Sequence, residues 1–212
     1  MFEQTINERM VLALKKLSEY SEISGQFYLA GGTALALKLG HRKSEDLDFF
    51  SSHEFDTSRI VEIIKEKNGE VRTEVRQTVH GEIDGAKISF ILYSYPMLES
   101  LQLQEKIYGI TLASVMDIAC MKWLTLSQRG EKKDFFDVYE LLKSISIEEF
   151  RSALIKKYSE KYAGLYAIAR SLIYFNDAEE SLEPQSINGT KWEEVKKYFL
   201  ANEKKITEVL IG

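Results

Sequence analysis

Hydrophobic positions near the start of the chain recur at helical spacing. Ile6, Met10, Leu12, Leu14 and Leu17 alternate with Glu8, Arg9, Lys15 and Lys16, and predict a helix over residues 4–20 packed on a sheet. The period then changes. Phe27-Tyr28-Leu29-Ala30 is a short apolar run that predicts a buried strand, and Gly31-Gly32 interrupts it. An apolar helix follows from Thr33 to Leu39, then a polar loop from Gly40 to Glu45. Asp46-Leu47-Asp48-Phe49-Phe50 alternates in type and predicts a second strand. Asp56 or Thr57 is a suitable N-cap for a helix through Lys67, with Ile60, Val61, Ile63 and Ile64 as its apolar side and Asn68-Gly69 as its end. Residues 70–76 alternate again, and Ala86–Tyr93 is strand-like, with Asp84-Gly85 as the hairpin signal between these runs. Leu103–Ile110 predicts a last strand.

From Leu112 the pattern is helical to the end. Helices are expected from Ser114 as a cap, over Lys133–Lys143, from Ile147 with Ser146 as a cap, and over about 160–175 and 190–210, with Asn176–Gly189 as a loop around Pro184. The change of character near residue 110 divides a mixed α/β part, 1–110, from a helical part, 111–212.

Composition narrows the class. At 212 residues, 44% hydrophobic and 29% charged, the chain is an ordinary globular one with room for a sizeable core. The net charge of −5 argues against strong non-specific nucleic-acid binding and leaves a local patch open. Such a patch is one reading of residues 150–170, where Arg151, Lys156, Lys157, Lys161 and Arg170 interleave with Tyr158, Tyr162 and Tyr166; a core stripe beside a solvated face is the other. The single Cys120 lies in an apolar helical run and reads as core, so no internal disulfide forms and a reducing compartment fits. No leader-like apolar segment and no long apolar run occur, so no membrane span and a cytoplasmic location are expected.

The chemistry concentrates in residues 27–51. Successive side chains on a strand point to opposite faces, so Asp46 and Asp48 share one face. Two neighbouring carboxylates repel unless a positive charge sits between them. Mg²⁺ meets that need, being held by one or two carboxylates together with substrate phosphates. The Gly31-Gly32-Thr33 step lets the backbone approach a ligand, and a helix starting there offers N–H groups to phosphate. Together these outline a nucleoside-triphosphate site; a βα turn with a surface acidic strand end is the plainer reading.

A second cluster lies further on. Lys122 in an apolar helical run must reach solvent or meet an anion, while Asp134 and Asp137, three apart, share a helix face. The plainer reading pairs Asp134 with Arg129 or Lys133. Arg42 and Ser44 touch a phosphate or position their loop. His41, His53 and His80 have no partner at metal-ligand spacing and read as surface.

The string Gly31-Gly32-Thr33-Ala34-Leu35, followed by His41-Arg42-Lys43-Ser44-Glu45-Asp46-Leu47-Asp48-Phe49, resembles the first motif of the nucleotidyltransferase superfamily, in the form of its AbiEii/AbiGii toxin branch. Lys122, then Arg129-Gly130 and Asp134-x-x-Asp137-x-x-x-Leu141, is similar to later motifs of that branch. The resemblance implies an α/β (α+β) fold, a nucleotidyltransferase-like mixed sheet with flanking helices, followed by a C-terminal helical bundle that completes an active-site cleft. It implies transfer of a nucleoside monophosphate from a triphosphate to an acceptor hydroxyl, such as a tRNA 3′ end. Asp46 and Asp48 would hold Mg²⁺ or Mn²⁺. Gly31, Gly32, Thr33, Arg42, Ser44 and Lys122 would bind the nucleotide, and Asp134 would complete the site, as the base that activates the acceptor or as a metal partner, with Asp137 in support. A cognate antitoxin is the expected partner.

One departure stands out. Where the superfamily often carries a third acid on a later strand, Lys87-Ile88-Ser89-Phe90 offers Ser89. Either two carboxylates with phosphate and water suffice, or an acid elsewhere substitutes. A non-catalytic nucleotide-binding or interaction protein on the same scaffold, and a metal-dependent nuclease, are the alternatives.

Overall fold

In a computed structural model that describes residues 1–159 and 164–212, the first amphipathic segment forms α1 (Glu8–Ser18). Its cap is Asn7, whose side chain accepts the Met10 N–H at 3.0 Å, and its Met10, Leu14 and Leu17 are buried. The expected helix over 4–20 is thus shorter, preceded by a 3-10 turn at Glu3–Thr5, and a further helix α2 (Ser21–Gln26) follows it. Next come β1 (Tyr28–Ala30), α3 (Gly31–Leu39), β2 (Asp46–Ser51) and α4 (Thr57–Glu66). Asp56 caps α4, accepting from the N–H groups of Ser58 and Arg59.

The region after α4 holds one strand more than the pattern predicts. Between β3 (Glu70–Val75) and β5 (Ala86–Leu92) lies β4 (Thr78–Ile83). Its sequence, Thr-Val-His-Gly-Glu-Ile, places strand-depleted Gly and Glu among strand-favouring Thr, Val and Ile, and the turn before it uses Arg76 at φ 51, with no glycine or asparagine to announce it. Pairing on both sides makes it a strand. Asp84 (φ 53) and Gly85 (φ 79) do form a tight hairpin, joining β4 to β5. The expected strand over 103–110 is instead a small hairpin, β6 (Lys106–Ile107) and β7 (Ile110–Leu112), turned at Tyr108 and Gly109.

The seven strands found among the described residues form one mixed sheet in the order β3-β4-β5-β2-β1-β7-β6. β2 therefore lies inside the sheet, antiparallel to β1 and parallel to β5. Its Leu47 and Phe49 are fully buried, and Phe49 stacks on Phe90 at 4.9 Å. Burial of that face fixes the register and turns Asp46 and Asp48 to the other side.

The chain divides into two compact units, Met1–Ser114 and Val115–Gly212. The second is helical: α5 (Val115–Gln128), α6 (Lys132–Leu141), α7 (Ile147–Tyr158), α8 (Leu165–Ser171), α9 (Asn176–Glu180) and α10 (Trp192–Ile211). Ser146 and Glu149 form a reciprocal capping box at the head of α7. The core centres on Trp123 against Phe150 and on Phe135, which contacts Phe175, Trp192 and Phe199. The segment expected as an open loop, 176–189, begins with the short α9. Lys132 Nζ holds its end by donating to the carbonyls of Glu179 and Ser181. Part of the helix expected over 160–175 lies outside the described residues, as do Lys161 and Tyr162. Of the rest of that basic and aromatic run, Lys157 is buried in an ion pair with Asp117 at 2.6 Å, Tyr158 is buried, and Tyr166 is exposed. The phosphate-facing reading therefore loses Lys157. Cys120 is buried as expected, and burial pushes its thiol up to about 12.

Candidate active site

Three backbone elements meet around Asp48. Its Cα partner on β1 is Ala30, and the chain turns from β1 into α3 at the next residue, Gly31. Gly31 has φ 69, and a Cβ there would lie 3.1 Å from Asp48 Oδ2. The carboxylate therefore packs directly against the backbone that opens the helix, in a space only glycine leaves free. Ala30, at the N-cap position, provides no side-chain cap to the first turn of α3. Asp46 and Asp48 are both part-exposed, so carboxylates and helix N-terminus face an accessible region.

Thr33, Ser44 and Arg42 occupy this neighbourhood. Thr33 is buried, and its hydroxyl contacts both the Asp46 carbonyl and Ser44 Oγ, the latter at 2.8 Å. A threonine hydroxyl has one hydrogen and a carbonyl only accepts. Thr33 therefore donates to Asp46 and receives from Ser44, a relay that ties the first turn of α3 to the start of β2. Ser44 is held in turn by its N–H bond to the Thr5 carbonyl at 2.9 Å. Arg42 is buried and donates to the Lys43 carbonyl at 2.8 Å. His41, expected on the surface, is buried as well.

Across the sheet, the face that bears the carboxylates carries two further rows. Asp46 is opposite Lys87, which is opposite Glu82, and Lys87 Nζ lies 4.0 Å from Asp46. Asp48 is opposite Ser89, which is opposite His80, and His80 Nδ1 lies 3.1 Å from Ser89 Oγ. The expected match of Ser89 to Asp48 is thus a direct cross-strand pairing. His80 was not legible as a site residue because its strand was not. Among the described residues, no three His, Cys, Asp or Glu side chains converge as a metal cluster.

In the helical unit, Lys122 is buried and reaches Asp134 at 3.0 Å and Asp137 at 2.7 Å. Both carboxylates are fully buried, and Arg129 Nε lies 3.5 Å from Asp134 Oδ2. The spacing of three places both acids on one face of α6, where a single lysine of α5 meets them. Beside them burial opposes the charge of Glu131, but a hydrogen bond from Lys133 and the charges of Lys133, Arg129 and Lys122 outweigh it and hold that carboxyl below its usual range.

The fold defined by this sheet is that of nucleotidyltransferases. MenT4, a nucleotidyltransferase toxin from Mycobacterium tuberculosis H37Rv, superposes with a TM-score of 0.55 at 14% identity, over 94% of this chain and 87% of that one. JHP933 from Helicobacter pylori superposes with a TM-score of 0.53 at 18% identity, over 99% and 94%. In sequence, residues 13–208 match the family described as nucleotidyl transferase AbiEii toxin, type IV toxin–antitoxin system, and the chain belongs to that family. An uncharacterized protein of Aquifex aeolicus (strain VF5), aq_aa25, is 39% identical over 198 residues, covering 89% of this chain and 90% of that one.

Proposed function

We propose that the chain transfers a nucleoside monophosphate from a triphosphate to a hydroxyl of an RNA acceptor, with the tRNA 3′ end as the first candidate. It would do so in the cytoplasm, as the toxin of a toxin–antitoxin pair. One observation carries the reading: Asp46 and Asp48 lie on one part-exposed face of an interior strand, and Asp48 abuts the glycine that opens an uncapped helix. Anions are favoured at such a helix end, and a hard cation at such a carboxylate pair. The donor set, two carboxylates with room for substrate oxygens, fits Mg²⁺ or Mn²⁺. When bound, the ion would neutralise phosphate charge along the line of attack.

The chain's own residues would do the rest. Asp46 and Asp48 bind the metal–triphosphate. The N–H groups of Gly31, Gly32 and Thr33 orient its phosphates. The Thr33 and Ser44 hydroxyls and buried Arg42 support the loop, which fits positioning better than direct phosphate contact. Lys122 is proposed as a cation for the triphosphate, with Asp134 and Asp137 holding it. Asp134 carries Lys122 and Arg129 beside it, which fits that holding role better than taking a proton from the acceptor. Phosphoryl transfer of this type depends mostly on positioning and electrostatics.

The test is incubation with Mg²⁺, bulk tRNA and each labelled triphosphate in turn. Asp46→Ala is expected to abolish incorporation with an unchanged circular dichroism spectrum; full incorporation by that variant ends the proposal. Ser89 opposite Asp48, in place of an acid, favours one second reading, a nucleotide-binding protein without turnover. Calorimetric binding of Mg²⁺–triphosphate with no transfer to any RNA would support it.

A further inference from the structure

The sheet face described above contains a hydroxyl–imidazole pair that the proposed reaction has not yet used. Asp48, Ser89 and His80 are direct neighbours on β2, β5 and β4. Adjacent strands are about 4.8 Å apart, so His80 stands roughly 10 Å from the Asp48 backbone, across a gap bridged by the Ser89 side chain. That span is enough for an α-phosphate and an incoming hydroxyl between carboxylate and imidazole. His80 is exposed, and its Nδ1 lies 3.1 Å from Ser89 Oγ.

We infer that His80 is the base that takes the proton of the acceptor hydroxyl, with Ser89 as the positioning residue that fixes its ring. In the tautomer with hydrogen on Nδ1, that N–H donates to Ser89 Oγ and Nε2 keeps its lone pair for the acceptor. The acceptor O–H bond breaks and its proton passes to Nε2. The acceptor oxygen bonds the α-phosphorus, and the bond from that phosphorus to the bridging oxygen breaks. Pyrophosphate leaves with the electron pair. Ser89 thereby marks a replacement of the third acid, an imidazole one strand further out, and not simply its loss. A positioned base is the kind of group such a step uses, and it need not be a carboxylate.

The inference rests on the transferase reading, and one set of reactions separates the two. The full chain, with Mg²⁺, labelled triphosphates and bulk tRNA, is compared with Asp46→Ala, His80→Gln, Ser89→Ala and the double variant His80→Gln/Ser89→Asp. His80→Gln is expected to lower kcat by about 100-fold or more while the KM for triphosphate stays within about twofold, the signature of a lost base and not of lost nucleotide binding. Ser89→Ala is expected to give a smaller loss in kcat alone. The double variant is expected to regain at least about tenfold over His80→Gln, since a carboxylate opposite Asp48 takes over the proton. His80 is exposed, so an unchanged circular dichroism spectrum is expected throughout. If His80→Gln turns over like the wild type while Asp46→Ala is dead, the base assignment fails and the transferase reading stands. If His80→Gln is dead and Ser89→Asp does not revive it, His80 serves the acceptor's binding and the base assignment fails again. If the wild type transfers nothing, or Asp46→Ala transfers normally, the transferase reading itself has failed.

Discussion

At the scale of single residues, Thr33 shows what spacing conceals. A hydroxyl two residues after the turning glycine reads as a phosphate contact, yet its proton goes to the Asp46 carbonyl thirteen positions along the chain. No periodicity reports such a bond, because its partner is a backbone atom that becomes close only when α3 and β2 are side by side. Thr33→Val keeps the shape and removes the relay, leaving the Asp46 carbonyl and the Ser44 hydroxyl, both part-buried, short of a partner. Unpaired buried groups cost about 1–3 kcal/mol each. Thr33→Val is therefore expected to lower the urea midpoint by a stability loss in that range with an unchanged m-value, while Thr33→Ser, which retains the hydroxyl, loses less. An equal loss in both variants would assign the effect to the methyl group and not to the relay. Gly31, by contrast, was legible at once. A glycine pair at a strand-to-helix turn signals positive φ or close approach, and the structure shows both at Gly31.

Elements were legible where pattern and burial agree. β2 alternates because one face is core, and α4 was bounded by its Asp56 cap and its Asn68-Gly69 end. β4 escaped notice because Gly81 interrupts its strand-favouring residues and the turn before it, at Arg76, has no glycine or asparagine to mark it. The α5–α6 pair was half legible: the i, i+3 acids and the lone apolar-run lysine were visible, but their meeting was not. That meeting governs how variants of Lys122 must be read. Removing one partner of a buried ion cluster leaves uncompensated charge and costs about 3–5 kcal/mol. Lys122→Met alone is expected to destabilise the protein by an amount of that order in urea titrations, and Lys122→Met/Asp134→Asn/Asp137→Asn by clearly less. A single variant as stable as wild type would mean that the cluster is solvated. Loss of activity in Lys122→Ala is accordingly no proof of a chemical role unless the folded fraction is measured beside it. α6 also makes a polar contact with α10, Tyr139 Oη donating to Glu194 at 2.6 Å. Burial first, and then this bond, push the Tyr139 hydroxyl up to about 12 from 10.0. The folded state thus favours the protonated phenol, so its contribution is complete below pH 10 and is lost as the pH rises toward 12. Tyr139→Phe is expected to lower the denaturation midpoint at pH 8 and to converge with the wild type near the upper end of that window. A constant gap across it would rule the hydroxyl out as the cause.

At the scale of the whole chain, each of the two compact units has its own aromatic core. In the first, Phe49, Phe90 and Phe27 pack together, and in the second Trp123, Phe135, Phe150 and Phe199 lie at the centre. The seven-stranded sheet lies within residues 1–114, and Lys122, Asp134 and Asp137 lie within 115–212. A unit with its own core is the kind that folds alone. Residues 1–114, produced separately, are expected to show the strand content of the intact protein. The proposed carboxylate pair and helix N-terminus also lie wholly within this fragment, so it is expected to bind Mg²⁺–triphosphate in calorimetry, and more weakly than the full chain if Lys122 has the proposed role. The heat should vanish in Asp46→Ala/Asp48→Ala and without Mg²⁺, and no nucleotide should reach tRNA. Binding as tight as that of the full chain would remove Lys122 from the nucleotide's contacts. A folded fragment that binds nothing would show that Asp46, Asp48 and the α3 turn do not by themselves make the triphosphate site.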